Sequence, residues 1–378
     1  MTIHTLPAEA ELRLECNNKR NPATWITLKK GSCELFGTEL AQNLPYKVEA
    51  GSKLALFTWH GCTLSVTSNH PVDAAAAAGL EHSDVAMVDA SGNNPVDGEE
   101  EGENEGVDHQ YVSTETNANV AHVNTHAQLE ALRDQAVLDS AAFGSEGAGG
   151  VKRDVQGPRV LLTGPTDSGK SALQRVLTSY AVKLGRSPML VDLDTAHNCL
   201  SVPGTFAASA ISSYDSVSVE SYVNQGAIMP STSPIVFWNG STNVTKNMAL
   251  SKLQITKLGE CLNARMKNDT DSKNSGCIVN TSGLWIEGDG YELLKHAIDA
   301  LQINVIFVVG QDRLYSILSS YCNSLGNSED NGTSSINCKV IKLPVSGGVV
   351  SRDNTLRRSM NQVALKSVSY CYYVLFIR

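Results

Sequence analysis

Residues 159–171 read RVLLTGPTDSGKS, a short β-strand pattern followed by the phosphate-loop pattern GxxxxGK[ST]. Arg159–Thr163 predicts a strand, and a helix is expected to begin near Lys170, which is the setting in which this pattern binds phosphate. The glycines let the backbone curl so that successive N–H groups point inward, and the helix N-terminus adds a partial positive charge. Residues 164–171 are therefore predicted to bind a nucleoside triphosphate, ATP with magnesium.

The side chains of this loop have separate predicted roles. Lys170 is expected to bridge the β- and γ-phosphates. The hydroxyl of Ser171 is expected to ligate magnesium, which prefers hard oxygen ligands. The residues predicted to contact the nucleotide are Gly164, Pro165, Thr166, Asp167, Ser168, Gly169, Lys170, Ser171 and Ala172.

Two carboxylates end the next predicted strand, residues 188–194. Asp192 and Asp194 occupy alternate positions, so both side chains share one face of the strand. Because strand ends of such sheets line the ligand crevice, one carboxylate is predicted to hold a magnesium water or to orient an attacking hydroxyl. Asp194, nearer the crevice, is our candidate; the alternative is that both carboxylates cap the following turn.

Length and composition indicate two or three globular domains. The chain has 378 residues, 42% hydrophobic and 18% charged, so each domain has enough apolar residues for its own core. The formal charge of -9 comes partly from the acidic residues 97–105. It neither supports nor excludes RNA as a partner, because RNA would need only a local basic groove.

Cysteine usage and hydropathy bear on the compartment. The nine cysteines form no CxxC pair, which argues against a disulfide scaffold or a zinc site and fits a reducing compartment, the cytosol or nucleus. The sequence contains no signal peptide and no apolar run long enough to span a bilayer, so no membrane partner is expected.

Three segments are predicted before the phosphate loop. Residues 1–69 alternate short strands with Asn-, Gly- and Pro-containing turns and predict a small all-β N-terminal domain. Its predicted strands are residues 12–16, 24–28, 33–36, 53–59 and 63–66. Residues 70–117 lack the apolar content of a core and predict a disordered acidic insertion. Residues 118–150 are expected to end the β domain and to supply a linker and a linking helix, residues 126–142, with Asn124 or Thr125 as its N-cap.

The remainder of the chain predicts an α/β domain. Residues 151–358 alternate strands, glycine turns and helices, as in a mostly parallel sheet. Residues 359–378 form an atypical C-terminus, in which the apolar run 370–377 predicts a buried strand.

Further stretches resemble one known family. They are residues 11–13, 35–40, 57–62, 124–126, 180–182, 184–186, 202–205, 275–281 and 346–350. With the phosphate loop, they are similar to the eukaryotic Clp-type polyribonucleotide 5′-hydroxyl kinases, subunits of the pre-mRNA 3′-end cleavage machinery that in some lineages associate with tRNA splicing. The resemblance covers most of residues 9–358 apart from the acidic insertion.

The resemblance implies a fold and an activity. Residues 151–358 become a P-loop kinase domain, and the family's C-terminal domain is expected to be largely absent, because residues 359–378 are too few to form it. The implied reaction transfers the γ-phosphate of ATP to the 5′-hydroxyl end of RNA. The implied partners are other subunits of the pre-mRNA cleavage factor, and the implied location is the nucleus.

Residue roles are also implied by the resemblance. Lys170 matches a catalytic phosphate-binding position, and Asp194 matches a carboxylate that orients or deprotonates the ribose 5′-hydroxyl beside the magnesium. Arg352, Arg357 and Arg358 match a lid whose guanidinium groups neutralise the transferring phosphoryl; the alternative is a solvated surface.

Three aromatic or clasp positions complete the implied site. Phe36 matches an aromatic that lies against adenine, although a strand phenylalanine is as often a core residue. Thr281 and Trp285 match the family's RNA clasp, in which the tryptophan offers a stacking face for a base.

Departures from the family pattern leave the activity open. Residues 195–198 read TAHN where kinase-competent relatives have Val-Gly-Gln-Gly, Leu284 is inserted before Trp285, and Gly310 replaces an aspartate. Two hypotheses follow: an active RNA 5′-kinase, or a nucleotide-binding scaffold whose bound ATP stabilises an assembly without turnover. A regulatory GTPase is a third, but residues 310–313 lack its base-reading Asn/Thr-Lys-x-Asp tetrapeptide.

Overall fold

The computed structural model describes residues 1–16, 24–49, 51–68, 109–145, 156–223, 229, 232–326 and 338–376. The chain divides into two units, Met1–Cys33 with Leu40–Ser113, and Glu34–Glu39 with Thr114–Arg378. The first unit contains most of the β-rich N-terminus, and the second contains the phosphate loop.

The secondary structure alternates between strands and helices only in the second unit. The strands are β1 (Thr2–Leu6), β2 (Ala10–Cys16), β3 (Thr24–Gly31), β4 (Glu34–Leu35), β5 (Thr38–Glu39), β6 (Pro45–Val48), β7 (Ser52–Thr58), β8 (Cys62–Thr67), β9 (His109–Ser113), β10 (Arg159–Thr163), β11 (Met189–Asp192), β12 (Thr205–Ala210), β13 (Ile235–Trp238), β14 (Cys277–Asn280), β15 (Val305–Val309) and β16 (Lys339–Leu343). The helices are α1 (Asn117–Ser145), α2 (Lys170–Lys183), α3 (Val219–Val223), α4 (Met248–Asn268), α5 (Thr270–Ser275), α6 (Gly288–Ala300), α7 (Asp312–Gly326) and α8 (Asn354–Phe376).

Antiparallel strands form the first unit. One sheet has the order β1-β8-β3-β6, and in the other β2 pairs with β7 along one edge and with β9 along the other. Leu12 and Leu14, at alternate positions of β2, are almost fully buried, as are Leu56 and Leu64, because alternate side chains of a strand face the same side. The sequence patterns predicted β2, β3, β7 and β8 but missed β1, β6 and β9.

Strand β9 corrects the predicted insertion. His109–Ser113 lies within the segment predicted to be disordered, yet it pairs with β2 from Glu11 opposite Ser113 to Glu15 opposite His109. The guanidinium of Arg13 lies 5.7 Å from the centre of the Tyr111 ring. Backbone pairing and this ring contact stabilise β9, which the sequence did not predict because the composition around it is polar. Residues 70–108 of the predicted insertion lie outside the described residues, and its last residues, 114–117, lead into helix α1.

The linking helix is longer than predicted. Helix α1 begins at Asn117 rather than near residue 126. Thr125, one of the two predicted N-caps, lies inside the helix, where its hydroxyl donates to the carbonyl oxygen of Ala121 at 2.7 Å. The prediction placed the start too late because the apolar periodicity is weak over the first two turns.

A seven-stranded sheet is the centre of the second unit. Its order is β13-β12-β11-β14-β10-β15-β16. The five strands from β11 to β16 in this order are parallel, while β12 and β13 extend the β11 edge antiparallel. The prediction of a mostly parallel sheet is confirmed. β10 and β15 are buried at every position, as expected for strands covered on both faces.

The C-terminal prediction of a strand is wrong. Helix α8 runs from Asn354 through the predicted boundary at residue 358 and includes residues 370–376; Ile377 lies outside the described residues. A short apolar run fits either a strand or a helix, and here it continues a helix that is already formed. Among the helices of the described residues, none has the length and apolar content needed to cross a bilayer.

We expect His122 on α1 to make the second unit labile to acid. Nδ1 of His122 is buried without a hydrogen-bond partner among the described residues, and burial lowers the pKa of His122 to about 4. Because an unfolded histidine has a pKa of about 6.5, the unfolded state binds more protons between these values. Stability is therefore lost as the pH falls from about 6.5 towards 4.

Thermal unfolding at pH 7.5 and pH 5 measures this effect. The His122→Gln variant should lose less stability between the two pH values than the wild type, by on the order of 1 kcal/mol. His60→Gln, at an exposed position, is the matched control and should behave like the wild type. An equal acid-induced loss in both variants would contradict the assignment to His122.

Candidate active site

The phosphate loop connects the central strand β10 to helix α2. Gly169 precedes α2 with a φ of 90°, in the left-handed region, and no side chain caps the helix start. A Cβ on Gly164 would overlap the carbonyl oxygen of Val309, so the loop requires glycine there. Because its first backbone N–H groups are uncapped by side chains, α2 offers an anion site at its N-terminus.

Lys170 lies inside this loop. Its Nζ donates to the carbonyl oxygens of Gly164 at 3.0 Å and Pro165 at 2.6 Å, and it lies 3.4 Å from Oγ of Ser168. Burial lowers the pKa of the Lys170 ammonium to about 8. A buried ammonium surrounded by backbone dipoles is a strong attractor for an incoming polyanion.

Ser171 is connected to the sheet through Asn280 at the end of β14. Nδ2 of Asn280 lies 3.4 Å from the Ser171 hydroxyl and 3.2 Å from Oδ1 of Asp192. The amide oxygen of Asn280 is buried and has no hydrogen-bond partner among the described residues. The Ser171 hydroxyl, the Asn280 amide and the Asp192 carboxylate therefore form one polar cluster, in which the Asn280 oxygen can accept a further hydrogen bond.

The two strand-end carboxylates have opposite environments. Asp192 is buried, and burial together with the charge of Asp194 raises its pKa to about 6. For Asp194, burial acts in the same direction, but His197, the Ala196 N–H and Lys170 outweigh it and lower the pKa. Asp194 is therefore the carboxylate that stays ionised beside the loop.

Two arginines, Arg352 just before α8 and Arg357 in its first turn, contact the loop. Oδ2 of Asp167 accepts the backbone N–H of Arg352 at 3.1 Å and the guanidinium of Arg357 at 2.6 Å. Burial and the charges of Arg175 and Arg357 lower the pKa of Arg352, which reports a local excess of positive charge. Arg358 is exposed, and its side chain contacts none of the described residues by a hydrogen bond or ion pair.

Phe36 lies in the second unit, in the tight turn between β4 and β5. Phe36 and Gly37 have φ values of 48° and 81°, as in a two-residue hairpin turn. The Phe36 ring lies 5.3 Å from the Arg175 guanidinium and 5.9 Å from the Tyr222 ring, edge to face. It is half-buried, so it is not a core residue.

Two of these contacts were missed from the sequence. Arg175 lies on α2, five residues after Lys170; its guanidinium lies over the Phe36 ring, and its positive charge helps to lower the pKa of Arg352. Asn280 is the last residue of a strand that pairs with both β10 and β11. A polar residue ending an otherwise apolar strand was a usable signal for Asn280, whereas the position of Arg175 depends on how α2 packs.

Comparisons with known proteins identify the family. The profile described as "mRNA cleavage and polyadenylation factor CLP1 P-loop" matches residues 164–370, and "N-terminal beta-sandwich domain of polyadenylation factor" matches residues 5–136. The chain belongs to the Clp1 family. It is 32% identical over 376 residues to the human polyribonucleotide 5′-hydroxyl-kinase Clp1, covering 98% of this chain and 71% of that one.

Other relatives agree with this membership. The Anopheles gambiae protein Clp1 homolog is 32% identical over 369 residues, covering 98% of this chain and 70% of that protein. A solved wild-type Clp1p–Pcf11p complex has the same fold with a TM-score of 0.70, at 19% identity and over 97% of this chain and 71% of that one. A second structure, of Pcf11p and Clp1p, gives 0.69.

The RNA clasp of the Clp1 family is not formed as the sequence implied. Trp285 is fully buried, 6.4 Å from the Phe206 ring in an edge-to-face contact within the core. Thr281 is also fully buried, and its hydroxyl donates to the carbonyl oxygen of Leu162 at 2.8 Å. Neither side chain offers a surface to RNA, and the inserted Leu284 is exposed in their place.

Two of the residues at 195–198 that depart from the family pattern make contacts that stabilise this loop. The Asn198 side chain accepts the backbone N–H groups of Leu200 and Ser201 and donates to the carbonyl oxygens of Asp192 and Thr205. Nδ1 of His197 lies 3.9 Å from Oδ2 of Asp194. The replacements thus hold the loop that carries Asp194.

The departure at Gly310 also has a steric reason. Gly310 has a φ of 74°, and a Cβ there would overlap the side chain of Val345. The aspartate that the family pattern implied at this position would therefore require Val345 to move. Gly310 and Val345 are matched to each other in this chain.

Proposed function

We propose that this chain binds ATP with magnesium and transfers the γ-phosphate to the 5′-hydroxyl end of RNA. The observation that carries the proposal is the grouping of Lys170, Ser171, Asp194 and two lid arginines around one uncapped helix N-terminus. The relatives named polyribonucleotide 5′-hydroxyl-kinase Clp1, 32% identical, support the same reaction.

The triphosphate would occupy the loop, and adenine would lie against Phe36. The ammonium of Lys170 would exchange its carbonyl partners for phosphate oxygens, which are stronger acceptors. The half-buried Phe36 ring beside Arg175 offers a face and a cation to the base, a combination suited to an adenine ring. The proximity of Phe36 to α2 supports this assignment.

The polar cluster at Ser171 fits magnesium. Ser171 and the neighbouring Asp194 would supply oxygen ligands, and the amide oxygen of Asn280, which has no hydrogen-bond partner among the described residues, would accept from a metal-bound water. When bound, magnesium would neutralise charge on the phosphate oxygens.

Asp194 would orient and accept the proton of the RNA 5′-hydroxyl. Its lowered pKa keeps it ionised at neutral pH, so it can accept that hydrogen bond. Arg352 and Arg357 would stabilise the transferring phosphoryl, which would replace Asp167 as the partner of Arg357. Arg358 is too exposed in this conformation to act with them.

Membership of the Clp1 family supports a proposal for the complex in which this chain acts. We propose a nuclear subunit of the mRNA 3′-end cleavage and polyadenylation complex, with a Pcf11-class subunit as one partner. The solved complexes of Clp1p with Pcf11p support that class of partner.

A catalytically inactive ATP-binding scaffold of the same complex is the second candidate. The burial of Trp285 and Thr281 supports it, because both residues of the implied RNA clasp are withdrawn. This candidate predicts nucleotide binding without phosphoryl transfer.

Labelled ATP and a 5′-hydroxyl oligoribonucleotide distinguish the two. Asp194→Asn should lower label transfer by about 10²–10⁴-fold and leave ATP affinity within a few-fold. Asp289→Asn, at an exposed position on α6, is the matched control and should transfer label normally. Wild-type protein that binds ATP but labels no RNA would favour the scaffold; transfer that is indifferent to Asp194→Asn would remove that residue from the mechanism.

A further inference from the structure

An exposed tryptophan stands at the edge of the sheet on the side of the active site. Trp238 ends the edge strand β13 and is 64% exposed. An exposed tryptophan offers a broad aromatic face together with an N–H donor, a combination that is enriched at binding surfaces.

The sheet register aligns Trp238 with the catalytic carboxylates. Asp192 on β11 lies opposite Ala207 on β12, and Ala207 lies opposite Val236 on β13. Residues directly opposite each other point to the same face of a sheet. Trp238 follows Val236 by two residues, as Asp194 follows Asp192. Trp238 lies opposite Thr205, and its indole therefore projects on the face that carries Asp192, from a strand that is two strand spacings, about 10 Å, from β11.

Hydrogen bonds join the Trp238 turn to the loop that carries Asp194. The N–H of Gly204 donates to the carbonyl oxygen of Thr195 at 2.7 Å, and the N–H of Asn239 donates to that of Gly204 at 2.9 Å. The hydroxyl of Thr195 donates to the carbonyl oxygen of Thr242 at 2.8 Å. The two segments are thus fixed to each other, so that Trp238 has a defined position relative to Asp194.

Helix α4 also holds the backbone of Trp238 and Asn239 in place. Nε2 of Gln254 on α4 donates to the carbonyl oxygen of Trp238 at 2.9 Å, and Nδ2 of Asn239 donates to Oε1 of Gln254 at 3.0 Å. The indole packs close to Gly204 and Gly240, since a Cβ added to either glycine would lie 3.5 Å from the ring. The ring packs beside these glycines while most of its surface remains free, which makes it a preorganised platform.

We propose that Trp238 stacks on the base of the 5′-terminal nucleotide of the RNA substrate. This inference rests on the proposed kinase function and assigns it a base-binding residue that replaces the withdrawn Trp285. The 5′-terminal base belongs to the same nucleotide as the 5′-hydroxyl, so a hydroxyl held at Asp194 places that base near the adjoining segment that carries Trp238, to which the Asp194 loop is hydrogen-bonded. Aromatic stacking accepts every base, so the site would show little sequence preference.

Binding of fluorescently labelled 5′-hydroxyl oligoribonucleotides tests the proposal. Trp238→Ala should weaken binding roughly 10-fold or more, while Trp238→Phe should retain most of the affinity and ATP binding should not change. Leu253→Ala, an equally accessible apolar position on α4 (56% exposed), is the matched control. A second oligonucleotide, abasic at its first position, should bind wild type and Trp238→Ala equally weakly.

Each result has a clear reading. The stacking assignment would be overturned if Trp238→Ala bound the intact oligonucleotide with wild-type affinity. It would also be overturned if the substitution weakened binding of the abasic oligonucleotide as much as binding of the intact one. Either result would leave the kinase proposal intact. Wild-type protein that binds neither oligonucleotide would overturn the kinase proposal and this inference with it. Thermal unfolding of both Trp238 variants, expected to match the wild type, separates loss of binding from loss of fold.

Discussion

Lys170→Met should lower phosphoryl transfer by about 10²-fold or more and weaken ATP binding. Methionine preserves much of the volume of the lysine stem but removes the ammonium that lies among the carbonyl oxygens of Gly164 and Pro165. Those oxygens would then face the phosphates without an intervening cation, and repulsion would replace attraction. Calorimetric titration with magnesium ATP measures the affinity, and label transfer to RNA measures the rate.

A lysine on the same helix provides the control. Lys183, in the last turn of α2, pairs with Glu39 at 3.2 Å, well away from the loop in sequence. Lys183→Met should retain ATP affinity and transfer, since an exposed ion pair contributes little. If Lys170→Met bound and turned over ATP like Lys183→Met, the phosphate loop would not be the nucleotide site.

The phosphate loop and the parallel part of the sheet were predictable because their signals are local. Residues 159–171 carry a strand, a glycine turn and a helix start within one short stretch, and continuous apolar runs mark β14 and β15 as buried strands. The first strand of the antiparallel extension, Thr205–Ala210, was missed because the four small residues after Phe206, AASA, give neither a helical nor a strand period.

The orientation and environment of the side chains at the site were less predictable from the sequence than the order of the strands and helices. The sequence identified the inserted Leu284 before Trp285, but not that Trp285 would lie in the core and that Leu284 would be exposed. Similarly, the ionisation states of Asp192 and Asp194 depend on burial and on Lys170 and His197. Both outcomes are set by tertiary packing, which no local pattern encodes.

The position of Asp167 suggests how the lid and the loop are coupled. One carboxylate oxygen holds both the backbone of Arg352 and the guanidinium of Arg357. A triphosphate in the loop competes with that carboxylate for the same guanidinium, because both are anions. The start of α8 is therefore placed to respond to nucleotide without a large movement of the chain.

Trp285→Ala should destabilise the second unit by about 3–5 kcal/mol, the second of the two largest effects expected. The side chain is fully buried and packs against Phe206, so truncation would leave a cavity between the sheet and the 3₁₀ helix Gly283–Ile286. Trp285→Phe should cost less, because it keeps a ring and removes an indole N–H that has no hydrogen-bond partner among the described residues. Chemical denaturation measures both free energies of unfolding.

The exposed Trp238 is the matched comparison, since Trp238→Ala should change stability by no more than about 0.5 kcal/mol. The two tryptophans therefore have opposite expected profiles: Trp285 supports the fold, whereas Trp238 supports RNA binding. A Trp285→Ala protein with wild-type stability and lost RNA affinity would reverse that assignment. It would mean that Trp285 leaves the core to reach RNA, and that the clasp implied by the family pattern forms only on the substrate.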